Sequence, residues 1–161
     1  MQEVLTLDFH HFILPSISIT IFAFMSTEEK NELKKSSYTE AMRYIDNAKE
    51  ALQKAKREGK YYTDAKYVRT ASGVAYSGMF LALDTLMRIK NIQLPVKSRK
   101  SIEWYRDQLR KMDWKLLNEV NTVYSLLHLA GYYEGLTNAD VINKGIDSAV
   151  TVIKKIKPLM N

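Results

Sequence analysis

The fold is decided by the stretch NEVNTVYSLLHLAGYYEGL, which spans residues 118–136. It holds three of the ten tyrosines and also His128, the only histidine after position 11. Its apolar residues recur at steps of three and four, which predicts a helix with one buried face. The same steps continue upstream to Ile102, so we expect a helical-bundle seam about four heptads long.

A single straight helix is too long for this part of a small domain. From residue 98 to residue 134 it would measure about 54 Å. Asp113 follows Met112 and is a residue type that caps helices. We therefore expect a bend or break near Asp113.

Three other segments carry apolar stripes at helical spacing, namely residues 41–55, 68–89 and 141–156. Local signals place the helix ends: a capping box at Ser37–Glu40, a terminal Gly59, and caps at Thr63, Ser98 and either Thr137 or Asn138. No segment shows the alternation of a strand in residues 26–161. The prediction is an all-α fold, an antiparallel four- or five-helix bundle.

The second helix is rich in small residues. Ala71, Ala75 and Gly78 recur on one side of it, and glycine inside a helix costs about 1 kcal/mol relative to alanine. We expect close approach of a neighbouring helix in return, with a ligand channel as the alternative reading.

The domain organisation has three parts. Residues 1–25 form an apolar leader, 26–36 a polar extension that frays or extends the first helix, and 37–157 the bundle domain. The apolar run at 12–25 is shorter than the roughly 20 residues of a spanning helix and lacks the positive flank of a signal peptide. We interpret Met25 as the native start, with an ordered strand or an anchor as alternatives, and we expect no membrane partner.

Composition excludes several kinds of site. The 161 residues include no cysteine, which rules out disulfides, zinc–thiolate sites and a cysteine nucleophile and fits a reducing, cytoplasmic location. His128 is the only histidine of the bundle, and Ser125 stands where a Glu-x-x-His metal motif needs glutamate. We expect no metal and no cofactor.

One candidate site is a polar stripe on the decisive stretch. Asn121, Tyr124, His128 and Tyr132 follow at steps of three, four and four, so they share one helix face. An imidazole flanked by phenols and an amide could act as acid, base or phosphate-oxygen donor. The alternative is a histidine packed within a helix interface beside tyrosine rings.

A second candidate is the basic run at residues 97–115, in a chain of net charge +6. It would bind nucleic acid or another polyanion through Arg99, Lys100, Arg106 and Arg110. The alternatives are a solvated helix face and a subunit interface that uses Trp104 or Trp114.

The order of elements resembles the HEPN superfamily of small helical bundles. A helix rich in Ala, Ser and Gly is followed by a Leu-Pro-x-Lys-Ser turn, a late helix ending in an aromatic pair, and a final amphipathic helix. More closely, LHLAGYYEG at residues 127–135 is similar to an uncharacterised bacterial family, a domain of unknown function found mostly in Bacteroidetes. This resemblance covers about residues 37–157.

The resemblance points to the HEPN ribonucleases, but this sequence departs from their catalytic motif. HEPN ribonucleases place an arginine four to six residues before a histidine on one helix, often across a dimer interface. His128 can take the histidine place, but the sequence has no arginine after Lys115, so the bidentate phosphate clamp is missing from that helix. We expect a non-catalytic HEPN-like interaction module that acts as a homodimer or with a partner protein encoded nearby. The alternatives are an RNA- or nucleotide-directed enzyme or toxin–antitoxin component centred on His128, and an RNA-binding bundle.

Overall fold

The computed structural model of this protein describes residues 26–95 and 101–158. In these residues five helices occur: α1 (Thr27–Lys54), α2 (Ala65–Ile89), α3 (Ile102–Met112), α4 (Trp114–Val123) and α5 (Ala139–Lys154). Helix α4 continues as a π-helix over Tyr124–Glu134, which we call the π segment. The predicted all-α bundle is confirmed. None of the helices in the described ranges is both long and apolar enough to cross a membrane.

Helix α1 begins earlier than the sequence analysis predicted. Its capping box is formed by Ser26 and Glu29, with the Glu29 N–H donating to Ser26 Oγ at 3.1 Å. The predicted box at Ser37–Glu40 is wrong, because those residues lie inside the helix. Glu40 instead pairs with Arg43 one turn later, at 2.6 Å. Residues 27–36 therefore extend the first helix, while the leader at 1–25, including Met25, lies outside the described residues.

A short hairpin separates α1 from α2. Its strands, β1 (Arg57–Glu58) and β2 (Tyr61–Tyr62), pair antiparallel around Gly59. Gly59 was predicted to end α1, but the helix ends at Lys54 and Gly59 supplies the left-handed φ of 58° that the hairpin turn needs. The strands were not predicted, because two-residue strands are too short to show alternation.

The hairpin also fixes the starts of two helices. Its backbone is tied to the start of α5, since the Tyr62 N–H donates to the Thr137 carbonyl at 2.9 Å. The predicted cap Thr63 is wrong: its hydroxyl donates to the Ala55 carbonyl at 2.9 Å, and Asp64 caps α2. Asn138 caps α5, as predicted, and accepts from two backbone N–H groups.

The expected break at Asp113 is confirmed. Asp113 has an extended backbone (φ −154°, ψ 93°), and it ends α3 and caps α4 by accepting from the Leu116 N–H at 2.9 Å. Its other carboxylate oxygen accepts from Lys155 Nζ at 2.8 Å. The predicted cap Ser98 lies outside the described residues. In the described part, α3 follows Ser101, whose hydroxyl accepts from the Trp104 N–H.

Helix α2 lies at the centre of the bundle and contacts α1, the π segment and α5. Fully buried side chains come from all five helices and the π segment: Ile45, Met79, Leu83, Tyr105, Leu109, Leu116, Leu127, Ile142 and Ile153. Burying an aliphatic side chain of this size contributes about 1.5–3 kcal/mol. Gly78 allows the close approach that was predicted, because a Cβ there would lie 2.8 Å from Tyr44 Cβ on α1.

The predicted seam is interrupted at Met112 and ends at Leu127. Met112 is 39% exposed, because the chain turns at Asp113. Beyond Leu127 the buried position is Gly131, whereas Ala130, the next residue that the steps of three and four would bury, is only partly buried. The π segment makes hydrogen bonds to the fifth residue back, so its turns are wider and the buried positions shift by one.

We predict that Asp113→Ala destabilises the bundle, since it removes the cap of α4 together with the contact to Lys155. The expected loss in the free energy of unfolding, measured by urea denaturation, is about 1–2 kcal/mol. Asp113→Asn is the control: asparagine caps as well as aspartate, so it should lose less than 1 kcal/mol, roughly what an exposed ion pair contributes. Equal losses in the two variants would contradict the capping role.

Candidate functional site

The predicted polar stripe lies along α4 and the π segment. Tyr124 and His128 have ring centroids 5.2 Å apart, and the rings of His128 and Tyr132 lie 6.2 Å apart and nearly parallel. The structure therefore brings together the three rings of the stripe. Asn121, the fourth member, lies one turn earlier on α4 and faces a side chain from another helix.

The π segment adds a ring that the stripe did not include. Tyr133 meets His128 edge to face at 4.9 Å and Tyr132 at 5.3 Å. In an α-helix, residues five apart point in different directions, whereas the wider π turn brings residues four and five apart onto one face. The pattern of the sequence gives no sign of this change in helix type, so Tyr133 was missed.

Helix α2 supplies the closest ring. Tyr76 stacks on His128 with centroids 4.5 Å apart and planes 18° apart. Tyr76 also meets Phe80, which in turn meets Tyr105 on α3. We call the rings that continue in contact from α3 to the π segment the aromatic row: Trp104, Tyr105, Phe80, Tyr76, His128, Tyr132 and Tyr133.

Glycine residues let the two helices come this close. A Cβ on Gly131 would lie 2.2 Å from the Oγ of Ser72 on α2, and a Cβ on Gly73 would lie 3.2 Å from the Tyr132 ring. The Ser72 hydroxyl is buried and has no hydrogen-bond partner in the described part of the chain. The Ala/Ser/Gly-rich middle of α2 was the sequence signal for this contact, but not for the rings beside it.

Arg106 reaches the stripe from α3. Its Nε donates to Asn121 Oδ1 at 2.8 Å, its Nη1 donates to Glu103 at 2.8 Å, and its guanidinium lies 4.5 Å from the centroid of the Tyr124 ring. A cation over an aromatic face is held by the ring quadrupole. Arg106 is thus part of the aromatic site rather than of a solvated basic face.

Of the other residues of the predicted polyanion surface, the structure describes Arg110 alone. Arg110 is exposed and pairs with Asp107 at 2.6 Å. Arg99 and Lys100 lie outside the described residues. The polyanion surface remains a prediction.

Arg69 closes the other end of the site. Its Nη1 donates to the carbonyls of Tyr132 and Tyr133, where the last C=O groups of a helix have no intrahelical partner. Gly135 makes room for this contact: it has a φ of 71°, and a Cβ there would lie 2.6 Å from the Arg69 guanidinium. A cation at this position also complements the helix dipole.

An open cleft of about 450 Å³ lies between α2 and the π segment. It is lined by Arg69, Thr70, Gly73, Val74, Tyr76, Ser77, His128 and Tyr132. Its walls offer aromatic faces, hydroxyls and one guanidinium, which suit planar or aromatic groups better than an ion. In the described ranges, no group of three or more His, Asp or Glu side chains could hold a metal ion.

Burial decides the protonation of the site. Burial lowers the pKa of His128 below its ordinary value, because it removes water that would solvate the charged imidazole; within the described residues this is the only cause of the shift. Burial also raises the pKa of Tyr76. At neutral pH the site therefore presents a neutral imidazole stacked on a neutral phenol, which favours stacking contacts over charge.

We predict that the protein loses stability in acid partly through His128. Because the folded pKa is lowered, the unfolded chain binds the proton more tightly. The stability that neutral His128 contributes is complete above the ordinary imidazole pKa of about 6.5, and it is lost as the pH falls through the pKa of His128 in the folded protein. His128→Phe keeps a stacking ring without titration, so its urea unfolding curve should depend less on pH over this interval. An unchanged pH dependence would contradict the assignment.

Two comparisons with known proteins bear on the family. A family model described as a domain of unknown function (DUF5618) matches residues 36–158. A solved structure, a protein of unknown function from Dyadobacter fermentans, is 36% identical, with a TM-score of 0.70 over 76% of this chain and 94% of that chain. No curated protein matches the sequence. The predicted relationship to an uncharacterised family is confirmed, and the matched range contains the whole aromatic row.

Proposed function

We propose a function from the premise that this chain belongs to the DUF5618 family, whose members share a domain of unknown function. The chain is a non-catalytic helical-bundle interaction module, HEPN-like in layout, and it acts as a homodimer. The cytoplasmic location expected from the sequence is part of the same proposal.

One observation carries the proposal: large apolar side chains are exposed together at the end of the π segment. Leu129, Tyr132, Tyr133 and Leu136 are 38%, 46%, 62% and 39% exposed. We call them the 129–136 surface. Tyrosine is enriched at protein interfaces, where charged residues are depleted, and exposed apolar side chains grouped in this way mark binding sites.

The state of His128 supports binding rather than chemistry. A general base acts through a proton that it can take within hydrogen-bond reach. The His128 ring instead has aromatic faces against it, from Tyr76 and Tyr132, and an edge contact with Tyr133. In this role the imidazole fixes the direction of the tyrosine rings, which then meet the partner.

A second copy of the chain is the proposed partner. The resemblance to HEPN bundles supports it, since these often pair across the helix that carries the histidine. A two-fold dimer joins the same patch on both subunits. Tyrosine rings suit such a patch, because each can serve as both the stacking surface and the hydroxyl donor for its equivalent.

The test is the oligomeric state of the full chain. We expect sedimentation equilibrium at micromolar concentrations to show a dimer. Tyr133→Ala should weaken it by about tenfold or more, because tyrosine is enriched at the hot spots of interfaces, where truncation costs about 2 kcal/mol or more. Trp114→Ala is the matched control, since Trp114 is 66% exposed at the α3–α4 corner and lies outside the 129–136 surface.

Two results would reject this proposal. A monomer at high micromolar concentration would remove the homodimer. Dissociation by Trp114→Ala but not by Tyr133→Ala would move the interface to the α3–α4 corner, where the sequence analysis also placed an alternative interface.

A second candidate function is supported by the position of Arg106. The sequence lacks an arginine on the histidine helix, but Arg106 reaches Tyr124 from α3, and Tyr124 contacts His128. A guanidinium and an imidazole around one ring could serve an RNA- or nucleotide-directed enzyme. RNA cleavage that is lost in both His128→Ala and Arg106→Lys would establish it, because lysine keeps the charge but not the planar fork. Inertness towards RNA and nucleotides would reject it.

A further inference from the structure

A second cleft lies on another part of the bundle, between the C-terminal end of α1, the hairpin and α5. It has a volume of about 350 Å³ and is lined by Lys49, Leu52, Gln53, Lys56, Arg57, Tyr62 and Asn143. The volume is comparable with that of small-ligand sites, about 300–1,000 Å³, but the cleft is broadly open to solvent. It shares no lining residue with the aromatic cleft or the 129–136 surface.

The charge of this cleft has one sign. Three of the lining residues, Lys49, Lys56 and Arg57, are cations, and none is acidic. Within the described residues, Arg57 has two contacts of its own: its Nη2 lies 3.9 Å from Asp140 Oδ1, and its Nε donates to the Gly59 carbonyl at 2.7 Å. Like charges that share a cleft repel one another, so the arrangement is most stable when an anion lies between them.

The backbone at Lys56 is a second observation. Lys56 has a φ of 53°, in the left-handed region that disfavours any residue with a Cβ. Glycine is the usual residue just after a helix C-cap in this conformation. Here the chain holds a lysine, and this lysine is one of the residues that line the cleft.

Helix-dipole compensation does not account for all three cations. The dipole acts on charges within the last turn of a helix, and Lys54 already occupies the last turn of α1. Lys49 lies before that turn, and Arg57 belongs to β1. What these residues share is the cleft.

Neutral hydrogen-bonding groups complete the site. Tyr62 Oη donates to Asn143 Oδ1 at 3.3 Å, a long contact that orients the amide so that its NH₂ group can donate elsewhere. The hairpin wall is held in place by backbone bonds to the start of α5, from Tyr62 N–H to Thr137 and from Ala139 N–H to Lys60, both at 2.9 Å. The cations and the amide are therefore presented on a braced frame.

We infer that this cleft is a binding site for a phosphate-bearing anion, held by Lys49, Lys56 and Arg57 and oriented by Asn143. The phosphate can belong to a free small molecule or to a lipid headgroup, which present the same chemistry. This anion site is separate from the proposed dimer interface, and binding there does not depend on dimerisation.

The experiment is a calorimetric titration of the full chain with sodium pyrophosphate at physiological ionic strength. We expect saturable binding of one anion per chain. Lys49→Gln/Lys56→Gln should weaken it about tenfold or more, because charge-assisted hydrogen bonds are the strong ones. The matched control is Lys54→Gln/Lys60→Gln, which removes the same charge from residues that do not line the cleft. It should leave the affinity within about twofold, as expected for screened charges.

A third variant separates a built site from general attraction by a basic protein. Asn143→Leu removes the amide without changing the charge, and a built site should lose several-fold in affinity. A parallel arm replaces pyrophosphate with vesicles containing phosphatidate. If the chain binds only the vesicles, and this binding is lost in Lys49→Gln/Lys56→Gln but not in Lys54→Gln/Lys60→Gln, the phosphate belongs to a lipid headgroup.

The inference is overturned by either of two outcomes. One is equal weakening by the two double lysine variants together with no effect of Asn143→Leu, which would leave net charge as the only cause. The other is the failure of both probes to bind the unaltered chain. Circular dichroism of each variant checks that the helices are intact.

Discussion

The close contact between Ser72 on α2 and Gly131 on the π segment is the constraint on which the candidate site depends. Only glycine fits at position 131, because any Cβ would lie 2.2 Å from the Ser72 hydroxyl oxygen. The hydroxyl is buried without a hydrogen-bond partner in the described residues, a state that costs about 1–3 kcal/mol. Burial of neighbours such as Leu127 and Ala75 offsets this cost.

The site follows from that contact and from the change in helix type. With the helix axes this close, Tyr76 stacks directly on His128. The wide π turn then places Tyr132 and Tyr133 on the outer side of the same imidazole. Long π-helices are rare, and short ones are frequent at functional sites. Arg69 stabilises the end of this one by binding the carbonyls that the helix leaves unpaired.

Charge and aromatic surface are separated on this molecule. Near the aromatic row the cations are already engaged: Arg106 with Asn121 and Glu103, and Arg69 with backbone carbonyls. Around the hairpin, Lys49 and Lys56 line a cleft without an acidic residue. A net charge of +6 therefore says little about where an anion binds, since ion pairs and hydrogen bonds determine which cations remain available.

The bundle could be predicted from the sequence alone, because apolar periodicity and capping chemistry act over a few residues. These patterns predicted the helical faces, the break at Asp113, the cap at Asn138 and the grouping of Tyr124, His128 and Tyr132. The predicted caps at Ser37 and Thr63 were wrong, because Ser26 and Asp64 are also residues of the capping type and hold those positions. Sequence patterns could not predict the π-helix, the stacking of Tyr76 or the approach of Arg106, because these depend on contacts between residues that lie far apart in the chain.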